Sequence, residues 1–497
     1  MTAPPTGADA RRAASAGPGS LPAPPGPAGR IPAAPPRLLI VSHCFPPSEM
    51  VGGRRPAALA RIAVRSGWDV RVLTATPSDR NVAGIGIPEW QVVRAAPLFH
   101  WPQLGAGSRP VRDGDGTPRA RPAPLRPALL RPALLRPALL RPAGLRSAAT
   151  RSAKFLGREA LMFPDGESTW IVPAVTGFLR AQRSWRPDVI FATGPPFSGF
   201  VVAAALARKL GAPWVADYRD LWTVGNEYRV PSRVALRRRA DHWLERRLLR
   251  SVARCVTISA PIAQTLRATF RVDTEVVMNG IDRRAEPAVS SPGAAGTCWP
   301  AGATGPQSLR LAHTGLLYPG KRSPGPLLDA IALLGDEARR VHFVQAGPDN
   351  GVAVDAAGRS AVPEAVTVLG HVPAERSWRI QAEADVLVLL MWNDPRDAGT
   401  VPGKFFDYLH ARRPILMIGH RDGVVAELIR ARGAGVVLSD PAEIAEQLRR
   451  WLAVKDRDGR IPALPAAVQQ GLFREDQMAR YLELLRDTGA RHRARPA

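Results

Sequence analysis

Short apolar runs, each followed by a turn and then a segment of helical periodicity, recur along this chain in two blocks. That alternation constrains the fold more than any other feature. A strand inside a parallel sheet is covered on both faces and reads as a continuous apolar run, whereas the crossover helix reads with a period near 3.6. The first block opens with Arg37-Leu-Leu-Ile-Val-Ser42 and turns through Phe45-Pro-Pro and Gly52-Gly53. It continues as a helix carrying Ala57, Leu59, Ala60, Ile62 and Ala63, closed by Gly67. Further strands are expected at 70–73, 90–93, 187–193, 213–217, 255–259 and 275–280. Helices are expected at 197–210 and 233–254, the second with Leu236, Ala240, Leu244, Leu248 and Val252 inward and arginines outward. The second block places strands at 309–313, 341–345, 366–369, 386–390 and 414–418. Alternation in both halves predicts an α/β chain of two doubly wound, Rossmann-like domains. Ligands of such sheets bind beyond the carboxyl ends of the strands, so two facing domains would hold the site in the cleft between them.

The 497 residues suit two domains with additions. Residues 1–36 are dominated by Pro, Ala and Gly and read as a disordered tail. The first domain spans 37–282, residues 283–308 make a Gly/Pro/Ala/Ser-rich linker, and the second domain spans 309–470. A helix at 471–487 is expected to cross back to the first domain, with a basic tail at 488–497. Within the first domain, 103–154 is a low-complexity insert. Leu-Arg-Pro-Ala-Leu recurs there with Arg at 126, 131, 136, 141 and 146, and proline at that period excludes a regular helix. The insert reads either as an arginine-rich arm for an anionic partner or as a neutral repeat expansion.

Charge bears on partners. The formal net charge is +25, which favours an anionic surface or substrate. The insert alone holds ten Arg and one Lys against Asp113 and Asp115, a local +9. With so much of the charge in a Pro-rich insert and no nucleic-acid-binding motif, a nucleic-acid partner is not expected. An acidic membrane surface is, from the insert and the basic helix at 233–254. Cys44, Cys255 and Cys298 stand far apart without metal-ligand spacing and suit a reducing compartment. Residues 1–36 lack the apolar core of a secretory leader, and no run of about eighteen apolar residues occurs. The expected location is the cytoplasm, either free or peripheral at the inner face of the cell membrane.

Two segments carry candidate chemistry. Gly399-Thr-Val-Pro-Gly-Lys404 is a small-residue loop entering a helix. Pro402 suits the first helical position, and the amides of Gly403, Lys404 and Phe405 would then point at an anion, with Lys404 adding a full charge. A plain loop-to-helix junction is the alternative. Asp217-Tyr-Arg-Asp220 lies at a strand end and faces the cleft by the crevice rule, unless Asp217, Arg219 and Asp220 only brace the loop through internal ion pairs. His43 and His313 read as core-edge residues.

Taken in order, Arg37-Leu-Leu-Ile-Val-Ser-His-Cys-Phe-Pro-Pro with Gly52-Gly53-Arg54-Arg55, Asp217-Tyr-Arg-Asp-Leu-Trp222, Asn279-Gly-Ile-Asp282, His313-Thr-Gly315 and Gly403-Lys-Phe-Phe-Asp-Tyr-Leu409 resemble the family-4 glycosyltransferases. The resemblance covers roughly 37–485, interrupted by the insert. It implies two Rossmann-like domains facing across a cleft, the GT-B architecture. It also implies a nucleotide-diphosphate sugar as donor, retention at the anomeric carbon, and neither a cofactor nor a catalytic metal. By the same resemblance the donor diphosphate would meet Gly53, Gly315, Lys321, Arg322, Gly403 and Lys404. Asp407 would hold the ribose hydroxyls, and Gly370, His371 and Val372 the base. Arg219, with Asp217 and Asp220 beside it, would touch the reacting sugar. The chain departs from the family at two places: Gly399 stands where the family commonly has an acid, and Leu316 where it has an arginine. The expected acceptor is a cell-surface polysaccharide, a glycolipid or another glycan or lipid-linked acceptor. Two other readings stay open: a non-enzymatic basic protein binding nucleic acid or membrane, and a nucleotide-sugar epimerase of the same fold.

Overall fold

The computed structural model describes residues 34–48, 50–77, 86–98, 162–225, 234–283, 299, 301–303 and 305–494. Most of the expected N-terminal tail, the whole 103–154 insert and most of the 283–308 linker lie outside them. From Pro36 onward the chain forms one compact unit.

The first seven strands are β1 (Arg37–Val41), β2 (Asp69–Ala75), β3 (Val92–Ala95), β4 (Val189–Gly194), β5 (Trp214–Tyr218), β6 (Arg254–Thr257) and β7 (Thr274–Val276). They form one parallel sheet in the order β3-β2-β1-β4-β5-β6-β7. The helices between them are α1 (Arg54–Arg65), α2 (Ile171–Ala181), α3 (Ser198–Leu210), α4 (Ala235–Leu249) and α5 (Ala260–Phe270). The second sheet holds β8 (Leu309–Thr314), β9 (Val341–Ala346), β10 (Val366–Gly370), β11 (Val386–Leu390), β12 (Ile415–Ile418) and β13 (Gly435–Leu438), in the order β10-β9-β8-β11-β12-β13. Its helices are α6 (Gly325–Ala332), α7 (Val352–Arg359), α8 (Ala374–Glu383), α9 (Gly403–Ala411), α10 (Val424–Ala431) and α11 (Pro441–Asp458), and α12 (Arg474–Arg493) ends the chain.

Each sheet thus reverses direction once, between β1 and β4 in the first and between β8 and β11 in the second. This doubly wound order leaves a crevice at each reversal, where neighbouring crossovers depart to opposite faces. The central strands are buried on both sides, as their unbroken apolar sequence requires: β4 and β11 are buried at every position.

Three details differ from the sequence expectation. β13 is an additional edge strand, short enough at Gly435-Val-Val-Leu438 to read as a loop. α4 turns Leu236 outward, 75 % exposed, because its inward side is set by polar groups. Glu245 accepts from the Tyr218 hydroxyl at 3.0 Å and from the Thr223 amide at 3.2 Å, and Asp241 pairs with Arg237 at 3.1 Å. Residues 488–493, expected as tail, continue α12.

That last helix returns to the first sheet. Met478, Tyr481, Leu482 and Leu485 are buried with apolar residues of β1, α1 and β4. The return is fixed at its start by main-chain hydrogen bonds from Ile281 to Leu472 (2.7 Å) and from Arg474 to Ile281 (2.8 Å). Gly280 permits it: with φ at +91°, a Cβ there would stand 2.7 Å from the Arg474 Cα.

Candidate active site

A cleft of about 1860 Å³ opens along the carboxyl ends of both sheets. That exceeds the ~300–1,000 Å³ of a pocket for one small molecule and leaves room for two substrates. The first half contributes Gly53, Arg54, Pro195, Arg219 and Asp220, all beside the β1–β4 reversal. The second half contributes Gly315 after β8, Arg322, His371 and Val372 after β10, and Gly399 to Lys404 with Asp407 at the start of α9.

The centre of the second half is a lysine held over a glycine. The Lys404 ammonium lies 2.9 Å from where a Cβ of Gly315 would be, and Gly315 has φ at +121°. Any side chain at 315 would displace it. Beneath, His313 is fully buried in β8. Its Nδ1 lies 2.9 Å from the Val388 carbonyl, which can only accept, so Nδ1 carries the proton and donates. Its Nε2 is then an acceptor, and Lys404 Nζ donates to it at 2.9 Å. Burial, with Lys404 adding to it, holds His313 well below the usual imidazole range, so it stays neutral. Burial, together with the Arg322 guanidinium, also lowers Lys404, to about 7, while Asp407 pulls it back up. The site therefore concentrates positive charge at some electrostatic cost, the arrangement expected where an anionic ligand supplies the compensation.

The backbone around the lysine is braced. The Thr314 amide donates to the Tyr408 hydroxyl at 2.9 Å, and Gln381 Nε2 donates to Thr314 Oγ1 at 2.9 Å. The Gly315 carbonyl accepts from Gln345 Nε2 at 3.0 Å, and a Cβ at Gly347 would meet that carbonyl at 2.7 Å. Gly347 in turn donates its amide to the Gly370 carbonyl at 2.6 Å. The three glycines closing β8, β9 and β10 are thus stacked close together. The sequence signal that marks His313-Thr-Gly315 is present for Gly347 as well, in Ala346-Gly347-Pro348 at the end of β9.

Several expected site residues sit elsewhere. Pro402 occupies the cap position of α9, with ψ at 145°, and Gly403 is the first helical residue. The Phe405 amide donates to the Pro402 carbonyl at 3.1 Å, so only the Gly403 and Lys404 amides remain at the helix start. Of the Lys321–Arg322 pair, Arg322 lines the cleft, whereas the Lys321 ammonium lies 4.6 Å from the centre of the Trp392 ring. Lys321 is not a cleft residue. Gly370 ends β10 with φ at +65°, and His371 and Val372 alone of that trio line the cleft.

In the first half, Asp217 is withdrawn from the cleft. It is fully buried and receives Arg55 Nε at 3.1 Å, Thr193 Oγ1 at 2.7 Å and the Tyr481 hydroxyl at 3.2 Å. Arg55 also donates to the Val277 and Met278 carbonyls, at 2.9 and 2.8 Å. With its acceptor capacity taken up inside the domain, Asp217 braces the structure and cannot reach a substrate. Arg219 and Asp220 do line the cleft. The Arg219 guanidinium bonds the Pro195 carbonyl and lies over Gly52, where a Cβ would come within 2.7 Å of it. Asp220 touches the solvent of the cleft yet has protein on most sides. This burial pushes its carboxyl up, against the pull of Arg219 and of Arg322 across the cleft.

Gly399 makes a contact between the two halves. Its carbonyl accepts from Ser259 Oγ at 2.7 Å, and a Cβ there would stand 3.2 Å from Pro261 at the start of α5.

Comparison with known proteins agrees with this geometry. Residues 52–281 match the family described as glycosyl transferase 4-like domain, and residues 309–453 match glycosyl transferases group 1. No curated protein matches the chain. Among solved structures, sucrose-phosphate synthase from Thermosynechococcus elongatus aligns over 92 % of this chain and 100 % of its own, at 14 % identity and a TM-score of 0.55. Anabaena HepE, described as a complex with UDP, aligns over 91 % of this chain and 100 % of its own, at 12 % identity and a TM-score of 0.51. At such identities the likeness is one of fold. Two glycosyltransferase domain families, matched in order onto two Rossmann-like sheets that face each other across a cleft, place this chain among the family-4-like glycosyltransferases of GT-B fold.

Proposed function

We propose that the chain transfers a sugar from a nucleotide-diphosphate sugar to a hydroxyl of a cell-surface polysaccharide, glycolipid or other acceptor, with retention of anomeric configuration and without a metal, in the cytoplasm. The observation that carries this reading is the Lys404 ammonium, held by neutral His313 over the bare backbone of Gly315 with Arg322 beside it. In the transfer, the bond between the anomeric carbon and the β-phosphate oxygen breaks while a bond to the acceptor oxygen forms on the same face. The acceptor proton passes to the departing phosphate. Negative charge grows on the diphosphate along this path, and preorganised donors that meet it lower the barrier. Lys404, Arg322 and the Gly403 and Lys404 amides would be those donors. Asp407 would accept from the ribose hydroxyls, His371 and Val372 would flank the base, and Arg219 and Asp220 would face the reacting sugar from the other half. Because the HepE neighbour is described with UDP, uridine nucleotides are the first to test.

A thermal-shift series with UDP, GDP, ADP and their sugars, on the protein and on Lys404→Ala, tests the reading. A ligand that binds only the native state raises the midpoint, by an amount set by its concentration over Kd. The expected result is a rise with one nucleotide family that Lys404→Ala removes. If no nucleotide diphosphate moves the midpoint, the reading fails. Activity surviving a chelator, and a product whose anomeric proton keeps the donor's configuration in NMR, are expected; trapping of a covalent glycosyl–enzyme adduct would rule out the one-face path.

A further inference from the structure

Helix α4 sorts its charges radially. Its two acids, Asp241 and Glu245, are buried and engaged by Arg237, Tyr218 and Thr223. The outward arc carries Leu236, Arg239, Trp243, Arg246 and Arg247, and the C-cap residue Arg250 continues it, all exposed. At about 100° per residue these six fall within roughly 120° of the helix circumference. Leu236 is 75 % exposed and Trp243 is 63 % exposed. No ion pair among the described residues engages Arg239, Arg246, Arg247 or Arg250.

A leucine and a tryptophan one heptad apart, bare in water, gain nothing for the folded monomer. Flanked by unpaired arginines they match one environment in both properties: the boundary of a bilayer with anionic headgroups. There an amphipathic indole sits at headgroup depth, and basic side chains meet lipid phosphates. The same half of the molecule supplies Asp220, Leu221 and Gly225 to the wall of the cleft. Among the described residues no helix is long and apolar enough to cross a membrane.

We infer that the outward face of α4 docks the protein on an anionic bilayer surface, with Leu236 and Trp243 entering the headgroup region and the four arginines holding lipid phosphates. The inference extends the proposed transfer to an acceptor that resides in a membrane, but its test reads binding alone.

The full chain is sedimented with phosphatidylglycerol vesicles and with phosphatidylcholine vesicles, beside Leu236→Ser/Trp243→Ser and Arg239→Glu/Arg246→Glu/Arg250→Glu. The wild type is expected to bind the anionic vesicles, to ignore the zwitterionic ones and to release as salt rises. The apolar double variant should bind at least about tenfold more weakly, and the charge-reversed variant more than about a hundredfold. All five replaced side chains are exposed, so circular dichroism and melting should match wild type, and the nucleotide-induced thermal shift should be retained. A failure of the donor reading would appear in that shift and not in sedimentation. The inference is overturned if both variants bind vesicles as wild type does, or if binding disappears only on deleting 103–154. It is equally overturned if this face binds duplex DNA or a second copy of the chain with no preference for anionic vesicles.

Discussion

Lys404 is the residue on which most of the proposed chemistry turns. Its pKa, lowered to about 7 by burial and Arg322, sets a pH dependence whose sign can be worked out. Burial disfavours the ammonium, and a bound diphosphate favours it, so binding takes up a proton when the lysine starts neutral. Donor affinity should be flat below about pH 7 and fall about tenfold per unit above it. The phosphates of a nucleotide sugar do not titrate in that range. Measuring the donor KM from pH 6 to 9 checks this; a flat profile would remove Lys404 from the clamp. The Gly-Lys helix start could be read from sequence because glycine and lysine there have a local physical reason. His313 as the acceptor beneath the lysine could not, since residues 91 positions apart meet only through the crossing of β8 and α9. Lys321 and Arg322 show the opposite failure. Adjacent basic residues look equivalent in sequence, but their side chains leave the backbone in different directions, one to Trp392 and the other to the cleft.

At the scale of elements, the strands were legible wherever they were central. β1, β4, β5, β8, β9 and β11 are buried nearly throughout, and a continuous apolar run admits few other readings. The edge strand β13 was not, because four residues between two amphipathic helices carry too little pattern. Hydrophobic periodicity locates α4 but rotates it, since it places apolar residues inward while Glu245 and Asp241 have buried partners that decide the actual face. The loop before α9 offers an element-level test. A methyl group at Gly399 would press on Pro261 at 3.2 Å, a contact both sides must yield to accommodate. Gly399→Ala should leave the melting midpoint within about 1 °C, since surface contacts away from a core rarely move stability much. It should lower kcat several-fold, because the contact joins elements that carry donor and acceptor groups. Equal losses in stability and turnover would show the contact to be only structural.

For the whole molecule, the Arg55–Asp217–Tyr481 group joins β5, α1 and the returning helix α12 into one buried unit. Replacing Asp217 leaves Arg55, 2 % exposed, without its counter-charge. Asp217→Asn should therefore cost about 3–5 kcal/mol of stability, as removing one partner of a buried ion pair does. Tyr481→Phe should cost only about 1 kcal/mol. Chemical denaturation of the two variants distinguishes this bracing role from a catalytic one, which would abolish turnover at unchanged stability. Asp217 looked like a site residue because a strand end near a crevice is where such residues occur. Which face of the strand it occupies is settled by a helix more than two hundred residues later.

The Ser259–Gly399 hydrogen bond has a kinetic corollary. It is a single neutral bond, of the kind that contributes about 0.5–1.5 kcal/mol net. Such a bond favours the joined arrangement of the two halves by roughly two- to twelvefold at 298 K. By itself, then, this bond resists the parting of the two cleft walls only weakly when spent nucleotide leaves. Substrates that touch both walls add their own binding energy to that closure, so occupancy of the cleft lengthens the joined state within each catalytic cycle.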